Sequence, residues 1–421
     1  MERKYIIEGG KILKGEVEIS GAKNAALPAI CATVIAPGEY TLKRIPKVRD
    51  VFCMLKILKH LGGDYEFADS RLKIDTRGIN SYSVPYELAS QIRASVLFLG
   101  AFTGIEEQAE VPLPGGCAIG KRPIDLHLKG LKLLGAEINL KHGNLYLKTK
   151  GLKGCEIVLD FPSVTATENL MMAAARAEGE TIIKNAAKEP EVWFLGEMLK
   201  KMGAKIKGHG TDTIVIKGKK KLKPVEIEII PDRIEAGTYI AVGGLFEENE
   251  VVVKNLCKEY LETPILKFQE IGIYLEKVGK RTYLVKREPK LRSTKIITAP
   301  YPGFPTDLQP IFAVLLTQAE GEPSIIIENL FENRFLYVYE LNRMGAKIEV
   351  ENRTAVITGG VTLSGSPVKA TDLRAGAALV LAGLMAENTT VVYEANLIER
   401  GYEKIVDKLR SLGAKIELAN A

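Results

Sequence analysis

Cysteine, histidine and tryptophan are all scarce in this chain: five, four and one among 421 residues. The odd cysteine count contains no Cys-x-x-Cys pair. That argues against a disulfide framework or zinc ribbon and for a reducing compartment. No histidine falls in a His-Glu-x-x-His or similar ligand spacing, so no metal site is expected. No apolar run approaches ~18 residues, and the first ten residues, MERKYIIEGG, hold no apolar segment of the signal type. Membrane spanning and secretion are therefore not expected, and a cytoplasmic protein is. Nucleic-acid binding lacks support too. The formal charge of +6 is modest, and the one dense basic run, Lys217 to Lys223, has no interleaved aromatics to stack on bases. Such a balance suits small anionic substrates equally well.

What the chain does have is repetition. A motif of helix, glycine and apolar strand recurs as KHLGGDYEF, KLLGAEINL, KKMGAKIKG, QEIGIYLEK, NRMGAKIEV and RSLGAKIEL. The glycines are Gly62, Gly135, Gly203, Gly272, Gly345 and Gly413, at successive gaps of 73, 68, 69, 73 and 68. Copies one and four, two and five, and three and six are each 210 residues apart, so the chain is two halves of three units. Before the first glycine, Val51, Met54, Leu55, Leu58 and Leu61 form one apolar helical stripe; Tyr402, Ile405, Val406, Leu409 and Leu412 repeat those offsets before the last. Each glycine reads as the residue that ends its helix. Each unit reads as β-α-β-α-β-β, too small to bury a core alone, so three should pack into one α/β domain. The offset between copies one and four predicts a discontinuous arrangement: residues 1–22 with 232–421 as one domain, and 23–231 as an inserted second.

Counting back 38 to 42 residues from each glycine reaches Lys23, Arg93, Ser163 with Thr165, Arg233, Asp307 and Arg374. Counting back 13 from the first, second and sixth reaches Arg49, Arg122 and Arg400. If the units pack symmetrically, these groups sit at helix N-termini, where unpaired N–H groups and the helix dipole already favour anions. Added cations there could hold a phosphate and a carboxylate together. A lone arginine at a helix start is more often a surface residue; the recurrence in every copy weighs against that reading. Asp307 is the exception in sign. A carboxylate among cations would be ionised and suited to accept a proton, although a cap or salt-bridge role stands as its alternative.

Between the strand near Glu110 and the helix near Asp125 runs VPLPGGCAIGKRPIDLH, rich in proline and glycine and without helix or strand period. Cys117 lies at its centre, beside Lys121 and Arg122, which would lower a thiol pKa from ~8.5. Cys31, Cys53, Cys155 and Cys257 lie in apolar or strand contexts. Two readings of residues 111–123 stand: a loop that closes over a cleft, or a connector whose cysteine is incidental.

These pieces resemble the UDP-N-acetylglucosamine 1-carboxyvinyltransferases, a branch of the enolpyruvyl transferase family. The resemblance runs from end to end. It is carried by GAKNAALPA from Gly21, IRASVLFLG from Ile92, PGGCAIG from Pro114 and RPIDLH from Arg122. PDRIEAGTY from Pro231, PGFPTD from Pro302, FENRF from Phe331, ATDLRAGAALVLAGL from Ala370 and ERGYE from Glu399 complete it. The resemblance implies two inside-out α/β barrel domains of three repeats each. It implies transfer of the enolpyruvyl group of phosphoenolpyruvate to the 3-hydroxyl of UDP-N-acetylglucosamine, with phosphate released by addition and elimination. It implies no cofactor and no metal; a monomer is expected. Lys23, Arg122 and Arg400 would bind phosphoenolpyruvate, with Arg334 and Arg374 nearby. Asn24, Arg93, Pro123, Ile124, Asp125, Leu126, Phe161, Pro162, Ser163, Val164 and Leu330 would position the nucleotide sugar. Asp307 would take the proton of the attacking hydroxyl. Cys117 would serve as general acid, and corresponds to the family's fosfomycin-alkylated cysteine.

Two departures from the family pattern stand out. Thr165 occupies a position where the family usually has glycine, and a β-branched residue resists positive φ. Val192, Trp193 and Phe194 replace a more usual Ile-Val-Asp. Two rivals remain: the sister enzyme acting on shikimate 3-phosphate, whose pattern lacks GAKN and the PGGC loop, and a non-catalytic repeat scaffold.

Overall fold

All six repeat glycines adopt positive φ, between 93° and 114°, immediately past a helix or its last turn. Only a residue without Cβ takes that conformation cheaply, which is why glycine recurs there. The helices they end are Arg49–His60, Asp125–Leu133, Pro190–Met202, Glu262–Ile271, Tyr337–Arg343 and Ile405–Ser411. The last begins three residues later than its apolar stripe predicts. Lys404 takes a left-handed conformation (φ 47°) and stops the helix short of Tyr402, which is buried in the preceding turn for another reason given below. The computed structural model describes residues 3–106, 108–115, 119–120 and 123–420.

Among the described residues, six small sheets follow one plan. In the third repeat, Glu156–Val158 runs parallel to Glu180–Lys184, which pairs antiparallel with Thr213–Lys217, and that strand with Lys205–Lys207. In the fifth, Lys295–Ile297, Ser324–Ile327, Thr354–Thr358 and Lys347–Glu351 reproduce the same order and directions. The second repeat has three strands and an isolated bridge from Ser83 to Glu110 in place of the short parallel strand. Burial alternates along these strands, so one face of each sheet covers a core and the other faces water.

Two of the sheets exchange their first strands. Lys14–Glu18 pairs with Glu250–Lys254, whereas Glu226–Glu228 pairs with Glu39–Lys43. Among the described residues, one compact unit gathers the stretch up to Ser20, Ile119 and Gly120, and everything from Pro231 on. The other gathers Gly21 to Gly115 and Pro123 to Ile230. Each has its own continuous apolar core.

At the centre of each core lie helices apolar on every side, as helices without a solvent face must be. Lys23–Ala32 and Val164–Ala174 fill one, with Phe98–Thr103; Arg233–Gly243, Gln309–Leu316 and Leu373–Met385 fill the other. In Leu373–Met385 every residue after the first is buried. The residues of these helices that keep some exposure, Asn24, Val164, Thr165, Arg233 and Leu373, all lie in first turns. No helix among the described residues is long and apolar enough to cross a membrane.

Candidate active site

The six positions reached by counting back all fall at those first turns. Lys23 opens Lys23–Ala32, Arg93 opens the 3₁₀ turn Arg93–Leu97, and Ser163 caps Val164–Ala174. Arg233 opens Arg233–Gly243, Asp307 lies in the 3₁₀ turn Thr306–Leu308 ahead of Gln309–Leu316, and Arg374 is the second residue of Leu373–Met385. Asp232 and Asp372 cap the helices that follow them, each accepting two backbone N–H bonds. By contrast, Arg49 is exposed on its helix.

In the unit that holds Asp307, three predicted residues come together. Asp307 Oδ1 accepts from Arg334 Nη2 at 3.0 Å and its Oδ2 from Arg374 Nη2 at 3.3 Å. Arg334 also donates to Asp372 Oδ1 at 3.3 Å and to the Thr306 carbonyl. The result is an alternating row, Arg374, Asp307, Arg334, Asp372. Both arginine side chains are nearly sealed from solvent (4 % and 2 %), while Asp307 is the most open member at 29 %. Burial works against the charge on Arg374, but Asp307 foremost outweighs it, so the guanidinium is held well above the ordinary arginine range. Among the described residues, no hydrogen-bond acceptor meets the buried Arg374 Nη1. An unsatisfied buried donor costs ~1–3 kcal/mol, which an incoming anion would recover.

Glu328 supports this row and was not anticipated from the sequence. Completely buried, it accepts from Thr298 and Thr306 hydroxyls at 2.9 and 2.8 Å and from the N–H groups of Leu330 and Phe331 at 2.8 and 3.2 Å. It thereby ties Leu330 to the turn carrying Asp307. A lone glutamate in the apolar run Ser324–Ile327 and beyond was the available signal. Arg400 lies partly buried in the turn that also holds Tyr402.

The other unit gathers a second set. Lys23 Nζ pairs with Asp50 Oδ2 at 2.5 Å, both side chains being at least nine-tenths buried. Asn24, next along, is half-buried. Arg93 Nη2 donates to the Pro123 carbonyl at 3.4 Å, joining the 3₁₀ turn to the segment before Asp125–Leu133. There Pro123 and Asp125 are exposed, Ile124 is buried and Leu126 half-buried. Phe161 is 47 % exposed, and Pro162, Ser163 and Val164 are half-buried. Thr165 is the second helical residue and not among those with positive φ, so the strain expected of a β-branched residue there does not arise. Trp193 is partly exposed between buried Val192 and Phe194, beside Gly210. Cys117 and Arg122 lie outside the described residues. Cys31, Cys53 and Cys257 are buried and Cys155 half-buried, and burial pushes the Cys31 thiol well up, away from reactivity.

Taken chemically, the unit with Asp307 offers an anion-ready guanidinium beside a partly exposed carboxylate held between two arginines. The other offers a buried lysine and two solvent-facing first turns. Residues 7–409 match the family model for EPSP synthase (3-phosphoshikimate 1-carboxyvinyltransferase). UDP-N-acetylglucosamine 1-carboxyvinyltransferase 2 of Carboxydothermus hydrogenoformans is 49 % identical over 415 residues, 98 % of this chain and 99 % of that one. UDP-N-acetylglucosamine 1-carboxyvinyltransferase of Halothermothrix orenii is 50 % identical over 413 residues, again 98 % and 99 %. Among solved structures, the enolpyruvyl transferase NikO from Streptomyces tendae superposes with a TM-score of 0.90 at 25 % identity, over 100 % of this chain and 99 % of its own. EPSP synthase from Acinetobacter baumannii gives a TM-score of 0.76 at 18 % identity over both full chains, a likeness of fold.

Proposed function

The chain belongs to the enolpyruvyl transferase family, and we propose that it carries the reaction named for its relatives at about half identity. It transfers the enolpyruvyl group of phosphoenolpyruvate to UDP-N-acetylglucosamine, a step of peptidoglycan synthesis. We read the two units as the family's pair of inside-out barrels, a reading supported by three sheets of like order in each. The protein works in the cytoplasm as a monomer, without metal or organic cofactor.

The observation that carries the site assignment is Asp307 held by two buried guanidiniums, one of which keeps a donor for an anion. Asp307 takes the proton of the sugar 3-hydroxyl as its oxygen bonds to C2 of phosphoenolpyruvate. The C2–C3 double bond takes up a proton at C3, from Cys117 in its family role. Arg374, Arg334, Arg400, Lys23 and Arg122 hold the charge of the tetrahedral adduct. In the second half C3 gives up a proton, the C2–O bond to phosphate breaks, and the enol ether is left on the sugar. Asn24, Arg93, residues Pro123 to Leu126, Phe161 to Val164 and Leu330 position the nucleotide sugar.

The test is phosphate release from phosphoenolpyruvate by purified protein in chelator-containing buffer, with UDP-N-acetylglucosamine or shikimate 3-phosphate as acceptor. Release with the nucleotide sugar alone is expected. Release with shikimate 3-phosphate alone would overturn the acceptor, and release with neither would overturn the activity.

A further inference from the structure

Two first turns in the unit that begins at Gly21 are joined by a part-buried hydrogen bond. His127, the third residue of Asp125–Leu133, is 1 % exposed, and its Nε2 lies 3.0 Å from Thr165 Oγ1 on the first turn of Val164–Ala174. One turn further along, the same helices approach so closely that a Cβ on Gly130 would lie 2.4 Å from Leu170 Cδ2. The packed Gly130–Leu170 contact sets their spacing in the core. The His127–Thr165 bond sets it where they emerge. Lys129 and Asp160 also bridge the two segments at 2.9 Å, but both are widely exposed, and such pairs contribute little.

We infer that Thr165 is a positioning residue for the nucleotide sugar: its hydroxyl, through His127, fixes the segment Pro123 to Leu126 against the segment Phe161 to Val164. The inference rests on the assignment of those two segments to the sugar nucleotide. Its physical basis is local. A hydroxyl can donate to or accept from an imidazole nitrogen, so Thr165 can pair with Nε2 of this buried histidine in either tautomer. The rest of the first turn is already laced: Ser163 Oγ accepts from Ala166 N at 3.4 Å, and the Thr167 hydroxyl donates to the Ser163 carbonyl at 2.8 Å. Thr165 is thus spared for the neighbouring helix. A glycine at this position would offer His127 no such partner.

The experiment compares the parent protein with Thr165→Val, which keeps the shape and removes the hydroxyl, and Thr165→Ser, which keeps the hydroxyl. UDP-N-acetylglucosamine binding is measured by calorimetry without phosphoenolpyruvate, and both KM values are measured in turnover. Thr165→Val should weaken sugar binding by roughly tenfold, with KM for phosphoenolpyruvate within about twofold, and Thr165→Ser should restore the parent values, the effect of one part-buried hydrogen bond. Unchanged sugar affinity in Thr165→Val would overturn the inference while leaving the activity in place. So would a parallel rise of both KM values that Thr165→Ser does not rescue, which marks a structural role only. If the parent protein itself does not bind the nucleotide sugar, the assignment of the segments fails and the inference with it.

Discussion

The ring of Tyr402 lies against the guanidinium of Arg374, 5.3 Å from centroid to the guanidinium carbon, and the Tyr402 hydroxyl is 2.9 Å from that of Thr238. Arg374 is therefore seated between an aromatic face and Asp307 rather than left to swing. Desolvated cation–π contacts contribute about 2 kcal/mol, so Tyr402→Leu should raise KM for phosphoenolpyruvate by roughly 10- to 30-fold. Tyr402→Phe keeps the ring against the guanidinium and loses the hydroxyl's hydrogen bonds to Thr238 and Arg374, so it should raise that KM less than Tyr402→Leu does. Steady-state kinetics with each substrate varied in turn decides the matter. An equal loss in the two variants would show that the hydroxyl, and not the ring, supports Arg374.

Asp307 is the one member of the arginine–aspartate row with substantial solvent access, as a group that must meet a substrate hydroxyl requires. Replacing it by asparagine preserves size and a hydrogen-bond acceptor for one arginine while removing the base. Asp307→Asn should lower kcat by about 10²- to 10⁴-fold, the range for loss of a general base. Binding of UDP-N-acetylglucosamine, followed by calorimetry, should change far less. A kcat within tenfold of the parent would leave Asp307 only a charge partner of Arg334 and Arg374.

The repeat and the site differ in how plainly the sequence records them. The helix-ending glycines are legible because a positive φ admits so few residues, and all six sit where the spacing places them. The residues at first turns follow from the same count. What spacing does not reveal is choice of partner. Asp50 for Lys23, Asp372 for Arg334 and Glu328 for Thr306 are pairings across 22 to 38 residues that depend on how helices face one another. Tyr402 matched an apolar helical stripe by offset, yet it lies outside the helix, buried by its contact with Arg374. Periodicity detects that a side chain is buried, not what it is buried against.

Glu328 shows how much one such partner can hold. Glu328→Ala would leave two hydroxyls and two N–H groups without their acceptor, at a cost of about 3 kcal/mol or more. Glu328→Gln retains one carbonyl oxygen for Thr298, Leu330 and Phe331. Its new amide faces Thr306, whose hydroxyl can rotate to accept. The glutamine variant should therefore lose only about 1 kcal/mol of stability. Urea unfolding midpoints separate the two cases, and equal destabilisation by both would mean that the charge itself is required.

Glu168 supplies a prediction of the opposite sign. It lies in Val164–Ala174, 2 % exposed, with Oε1 lacking a hydrogen-bond partner among the described residues. Burial foremost, then the charges of Glu191 and Glu189, push its carboxyl well above the usual range. The folded chain thus keeps a proton that the unfolded chain releases near pH ~4.3. Below that pH both states are protonated and the group costs nothing. As pH rises toward the folded-state value, the unfolded state alone gains the charge, and stability falls by about 1.4 kcal/mol per pH unit for this group. Glu168→Gln cannot ionise, so the variant should become increasingly more stable than the parent as pH rises above 5 toward the raised folded-state value. Taking the difference between the two proteins cancels the titrating groups that do not interact with Glu168. Urea midpoints at four pH values give that difference directly. A constant offset across the range would mean that Glu168 is ionised in the folded protein, held by a partner strong enough to overcome its burial.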